Sequence, residues 1–135
     1  MSDAIIKAHV SETTDSLYSV EINTNGHTLV GDEPESYGSK NLGPAPYDLL
    51  LAALGECTAM TIRWFAIQKN WPLEKVTVEL THSKVEGKDT FTKDIRILGD
   101  DLTEEQRQKL HDVAAKCPVQ KTLLSDVAIE TTSHA

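Results

Sequence analysis

Cysteine is scarce in this sequence. Cys57 and Cys117 are the only two among 135 residues, which excludes the disulfide scaffold of a small secreted domain. Positive charge is short as well: 13 Lys and Arg stand against 21 Asp and Glu, a formal net charge of −8. Nucleic acid and anionic membranes both call for a basic face, so neither is an expected partner. Asp3, Lys7, Glu12, Asp15 and Glu21 interrupt the N-terminal region, so no secretory leader is expected. The longest apolar stretch carries Asp48, Glu56 and Arg63 and reads as a core helix, not a membrane span. There is no internal repeat, no low-complexity tract and no GxxxxGK phosphate loop. His9, His27, His82, His111 and His134 lack zinc-type spacing with the cysteines, so no metal is expected, and if the cysteines serve redox chemistry their thiols carry the electrons and no organic cofactor is expected. What remains is a soluble protein of a reducing compartment, expected to be cytoplasmic and built as a single domain over residues 1–135. An apolar fraction of 39% is low for a compact monomer, and pairing with a second copy would complete the core.

Short runs rich in β-branched residues, Ile5–Val10 and Leu17–Thr24, predict two strands. Asn25-Gly26 then marks a tight hairpin, because both central positions of a type I′ turn need positive φ, and His27–Val30 is the returning strand. Gly31–Ala45, with Pro34, Gly38, Gly43 and Pro44, is a long loop. Pro46 suits a first helical turn, and the helix runs to Lys69, ended by Asn70-Trp71-Pro72. Leu50, Ala53, Leu54, Cys57, Met60, Thr61 and Trp64 share one face, and Leu49, Leu51 and Ala52 add apolar surface elsewhere. A helix apolar nearly all round is expected to be buried on most sides.

Val76, Val78 and Leu80 alternate with polar residues as a half-buried strand. A turn at Gly87-Lys88-Asp89 leads to a partner strand over Phe91–Leu98 with Ile95 and Ile97 inward. Thr103 and Gln106 have capping-box spacing at the head of a helix over Glu104–Lys116. Val127 and Ile129 suggest a last strand. The order β-β-β-α-β-β-α-β, with antiparallel strands on either side of one long buried helix, is α+β and not a nucleotide-binding βαβ fold.

The cysteines sit in unlike settings. Cys57 is mid-helix among leucines, where burial raises a thiol pKa and the helix N-terminus is too far away to help. Most such cysteines act as small hydrophobes. A cation is needed if Cys57 is to ionise. Arg63 lies about 240° round the helix, which leaves Lys40, Lys7 or His27 as candidates. Cys117 precedes Pro118, so it stands near the N-cap of a short new helix, with Lys116 and Lys121 nearby. Local physics makes it the more reactive thiol.

Three phrases carry a resemblance: Gly43-Pro44-Ala45-Pro46-Tyr47-Asp48-Leu49-Leu50, Ala53-Leu54-Gly55-Glu56-Cys57-Thr58 and Cys117-Pro118-Val119. Together with the element order they resemble the OsmC/Ohr family of osmotically inducible and organic hydroperoxide resistance proteins. The resemblance implies an intertwined homodimer with two central helices wrapped by sheets. It also implies thiol peroxidase chemistry on organic hydroperoxides, with Cys57 attacking, Cys117 resolving and a dithiol reductant restoring both. The two thiols are then expected close enough to bridge, with Cα atoms within about 7 Å. Two positions depart from the pattern. Tyr47 stands where family peroxidases carry a glutamate, with Asp48 beside it. No arginine precedes the central helix, since Arg63, Arg96 and Arg107 are the only three.

Tyr47 is a hydrogen-bond donor that could reach a peroxide or simply pack. Asp48 in the first turn complements the helix dipole, and Glu56 reads as structural. The leading expectation is therefore a homodimeric thiol redox protein reducing small hydrophobic hydroperoxides in oxidative stress defence. The alternatives are a non-catalytic dimeric binding module for a small hydrophobic ligand, favoured by the missing arginine, and a thiol–disulfide partner of other proteins.

Overall fold

The computed structural model describes residues 5–134 and divides into two compact units, residues 1–50 and 51–135. The first is a three-stranded antiparallel sheet with a structured loop. Strands β1 (His9–Glu12), β2 (Val20–Thr24) and β3 (His27–Gly31) lie in that order. Val10 is opposite Ile22, and Ile22 is opposite Leu29. The β2–β3 hairpin turns at Asn25 and Gly26, with φ of 49° and 77°, the two positive values of a type I′ turn. The first strand starts at His9, not at the expected Ile5. Ile5 and Ile6 are 84% and 92% exposed and lie before the register with β2 begins. β2 likewise begins at Val20, because Ser16 and Ser19 are taken up in a buried polar turn.

That turn belongs to a knot of polar groups. Ser39 donates to Asp32 Oδ1 and pairs with Ser16 Oγ at 2.6 Å. Asp32 also accepts the backbone N–H groups of Glu33 at 2.8 Å and Leu42 at 3.1 Å. The N–H of Tyr18 reaches Ser39 at 3.2 Å, and that of Lys40 reaches Ser16 at 2.8 Å. Asp32, Ser16 and Ser39 are all buried. Burial acts to raise the Asp32 pKa, but the bonds from Ser39, Leu42, Glu33 and Ser16 outweigh it and hold the carboxyl far below its ordinary range. A 3-10 turn at Glu35–Tyr37, closed by Gly38 at φ 85°, completes the loop.

Helix α1 (Pro46–Lys69) begins where proline predicts. Asp48 accepts the Ala45 N–H at 2.9 Å, the reach-back bond of a capping box. The helix ends at Asn70, whose φ is 55°. By length and composition α1 could cross a membrane. Its stripe Leu54, Thr58, Ile62 and Ala66, at spacings of four, is instead packed into the second unit. Within one chain Met60, Trp64 and Ile67 are 62%, 60% and 64% exposed. The chain covers one stripe of a helix that is apolar nearly all round.

In the second unit β4 (Lys75–Val85) pairs antiparallel with β5 (Lys88–Leu98), placing Val78 opposite Ile95 and Val76 opposite Ile97. The connection is a two-residue turn at Glu86 and Gly87, with φ of 51° and 79°, one residue earlier than expected. Gly55 of α1 lies against this hairpin. A Cβ there would meet Leu80 Cδ1 at 2.6 Å, which explains a glycine inside a helix despite a propensity cost of about 1 kcal/mol. Helix α2 (Glu104–Val113) opens with the predicted box, Thr103 accepting from Gln106 N and Gln106 from Thr103 N. Its expected last turn tightens to a 3-10 segment at Ala114–Lys116. Helix α3 (Pro118–Leu123) follows, with Cys117 as its N-cap. Ile62, Ala66, Leu73, Ile97, Leu102, Leu110, Val113 and Ala114 form the core. The expected strand at Val127–Ile129 does not form: residues 125–134 pair with nothing as a ladder, and Val127 and Ile129 are 64% and 89% exposed. The described chain supplies no strand for this segment to join, and backbone donors and acceptors without a ladder stay in water.

Candidate active site

Two local accidents of sequence bring the cysteines together. Cys57 stands half-buried in mid-α1, one residue before the buried Thr58. Pro118 cannot continue the preceding 3-10 turn, so the chain redirects at Cys117 and α3 starts afresh. The redirected backbone sets the Val119 N–H 3.5 Å from Cys57 Sγ. Cys57 and Cys117 are both reduced, and each thiol acts on the acidity of the other. Cys57 is half-buried, whereas Cys117 is 0% exposed.

The two sulfurs have opposite acidities. At Cys57 burial raises the pKa above the ordinary 9.0, as do the hydrogen bond it gives to Cys117 and the charge there; the Val119 N–H and Thr61 pull the other way without prevailing. At Cys117 burial also acts upward. The bonds from Cys57, the Gln120 N–H, Thr58 and the Val119 N–H outweigh it, and the thiol falls below 9.0. The inner sulfur is thus the more acidic of the two.

The cation beside them is one that sequence reasoning missed. Lys93 Nζ donates to Thr58 Oγ1 and to the Ala114 carbonyl, each at 3.0 Å, and its charge acts on both thiols. Burial lowers the Lys93 pKa below 10.5, and the thiols partly oppose that. A signal was available. Lys93 occupies the strand parity of Phe91, Ile95 and Ile97, the side turned inward. Lys93 also lines an open depression of about 510 Å³ whose apolar walls are Leu54, Phe91, Leu123 and Leu124.

The other anticipated residues are placed as follows. Lys40 and His27 are exposed in the first unit, Lys40 in the loop and His27 at the start of β3. Lys7 is held there by its carbonyl, which accepts from Thr24 Oγ1 at 2.8 Å. Tyr47 is 56% exposed in the first turn of α1, where it lines a depression of about 630 Å³ with Tyr18, Tyr37 and Asp48. Asp48 is occupied in capping α1. Arg63 holds the Leu73 and Glu74 carbonyls at 2.9 and 3.1 Å, and Glu56 points to solvent. Among the described residues no group of three or more His, Cys, Asp or Glu side chains gathers to hold a metal.

Comparison with known proteins agrees with this fold. An OsmC-like protein of Mycoplasma pneumoniae superposes with a TM-score of 0.70 at 19% identity, covering 90% of this chain and 89% of that one. The organic hydroperoxide resistance protein OhrB of Bacillus subtilis gives 0.62 at 18%, covering 91% and 93%. An organic hydroperoxide resistance protein OsmC of Legionella pneumophila, described as a predicted redox protein, gives 0.62 at 19%, covering 92% of each. No curated protein matches the sequence significantly. The family model for OsmC-like proteins matches residues 38–132, and on that match the chain belongs to the OsmC-like protein family.

Proposed function

We propose that this protein is a dithiol peroxidase of organic hydroperoxides, with Cys57 attacking and Cys117 resolving. The observation that carries the reading is a pair of reduced thiols that act on each other, with the Val119 N–H on Cys57 and an ammonium group acting on both, in a chain of this family. Exposure divides the roles: a peroxide can reach half-buried Cys57 but not Cys117, which is fully buried. The names of the Bacillus subtilis and Legionella pneumophila proteins point to the same chemistry.

The steps balance without a cofactor. At rest Cys57 donates its proton toward the Cys117 thiolate. When that proton crosses, Cys57 becomes the nucleophile and attacks the terminal peroxide oxygen. The O–O bond breaks, and the departing alkoxide takes the proton from Cys117 and leaves as an alcohol. Cys57 is now a sulfenic acid. The restored Cys117 thiolate attacks the Cys57 sulfur and expels hydroxide, which a solvent proton converts to water. An external dithiol then reduces the disulfide.

The working form is a homodimer in a reducing, cytoplasmic setting. Met60, Trp64 and Ile67 line an open depression of about 480 Å³ with Ala59 and Val76, apolar surface that a second copy would cover. The family match runs through both compact units, in keeping with one domain. Sedimentation should give a dimer that Trp64→Glu weakens.

The function is tested by adding one equivalent of cumene hydroperoxide to reduced protein, quenching with an alkylating agent and mapping the thiols. Rapid formation of a Cys57–Cys117 disulfide is expected. Two free thiols after minutes would overturn the peroxidase. The apolar walls of the depression beside Lys93 would then favour the second reading, a module that binds a small hydrophobic ligand, which native mass spectrometry would reveal as a bound adduct.

A further inference from the structure

Lys93 is a charged side chain at an inward position of a strand, between Phe91 and Ile95. Partial burial disfavours its charge, so the ammonium persists there only with compensation. Both of its bonds end on groups that frame Cys117. One goes to the Ala114 carbonyl, three residues before the cysteine, and the other to Thr58 Oγ1. Thr58 has one hydrogen to give and two acceptors in reach, the Leu54 carbonyl at 2.7 Å and Cys117. A neutral thiol is a weak acceptor, so the carbonyl holds the hydroxyl while Cys117 is protonated. A thiolate is a strong one, and a hydroxyl polarised from behind by an ammonium donates to it more strongly still. An ammonium carries three donors. Only two of those on Lys93 have partners among the described residues, and Lys93 also lines the open depression walled by Leu54, Phe91 and Leu123.

We propose that Lys93, acting through Thr58, is the residue that keeps one thiolate on the Cys57–Cys117 pair at neutral pH. It is a positioning residue, acting from strand β5. The role rests on the redox reading of the pair for its purpose but not for its occurrence, so the two are tested separately.

The experiment follows thiolate ultraviolet absorbance and the rate of alkylation by iodoacetamide against pH, in full-length reduced protein and without peroxide. Lys93→Met keeps the apolar stem and removes the charge. It is expected to move the first thiol titration upward and slow alkylation at neutral pH by roughly ten- to a hundredfold, the effect of losing a neighbouring opposite charge. Its rate should converge with wild type at high pH, which a merely structural defect would not produce. Lys93→Arg should restore most of the rate, and Thr58→Val should shift the profile the same way by less. An unchanged profile in Lys93→Met, or no rescue by Lys93→Arg, overturns the proposal. If circular dichroism shows Lys93→Met unfolded, the nearly isosteric Thr58→Val decides, and an unshifted profile there overturns it. A protein that ionises early yet leaves cumene hydroperoxide intact loses the peroxidase and keeps Lys93. An active peroxidase indifferent to Lys93 does the reverse.

Discussion

The chain buries two clusters of polar groups, and they are built on opposite principles. In the first unit Ser16, Ser39 and Asp32 trade hydrogen bonds with one another and with the backbone of Tyr18, Glu33, Lys40 and Leu42. Asp32 is an acceptor met by donors on both oxygens, and the knot pins a fifteen-residue loop, Gly31–Ala45, to the turn before β2. In the second unit Cys57, Cys117, Thr58 and Lys93 share fewer bonds than their donors and acceptors could form. The inner sulfur is more acidic than the outer, one hydroxyl has two acceptors to choose between, and two of the three ammonium donors have partners among the described residues. A saturated network has one arrangement and therefore stabilises a shape. An unsaturated one has several arrangements of similar energy, which is the condition for moving a proton.

The comparison can be broken at either cluster. The largest effect is expected from Cys57→Ser, which should abolish hydroperoxide turnover while leaving the unfolding midpoint in urea almost unchanged. Turnover retained in full would remove Cys57 from the chemistry. Next is Ser39→Ala, which strips Asp32 of its hydroxyl donor and leaves the Tyr18 N–H without its acceptor. It should cost about 1–3 kcal/mol in urea unfolding with no change in thiol reactivity. A loss of reactivity there would mean that the two clusters are not independent.

Acid should sharpen the contrast. The Asp32 pKa is depressed in the folded state, so its contribution to stability is complete above the unfolded value of 3.8 and is lost as pH falls below it toward the folded value. Asp32→Asn should flatten the acid limb of the unfolding curve over that range. The thiol cluster should titrate in two steps, one below 9.0 and one above, and a single two-proton step would contradict the assigned charge. The smallest effect is reserved for Thr103→Ala, which removes the α2 cap far from either cluster. It should cost about 1 kcal/mol and leave both the acid limb and the thiol titration in place.

Local chemistry was legible in the sequence and partnership was not. Asn25-Gly26, Pro46, Asn70, the Thr103–Gln106 box and the Cys117-Pro118 junction each obey a rule that involves a few neighbouring residues, and each stands where that rule puts it. The last strand failed because Val127 and Ile129 have the right side chains but no ladder to join. The buried stripe of α1 was not singled out for a related reason: when nearly every face is apolar, periodicity cannot say which face the chain itself covers. Lys93 was overlooked because charge drew attention to the loop and the first sheet. The parity it shares with Ile95 and Ile97 already pointed inward.

The mutual influence of the two thiols also bears on how long a peroxidase of this kind would last. A sulfenic acid that waits for its partner is exposed to a second peroxide, which drives it to the sulfinic state that ordinary dithiols do not reverse. In the proposed peroxidase cycle the resolving thiol already acts on Cys57 from nearby, so closing the disulfide would need little travel and the vulnerable interval would be brief. Working life under high peroxide would then be set by the supply of reductant and not by self-inflicted damage.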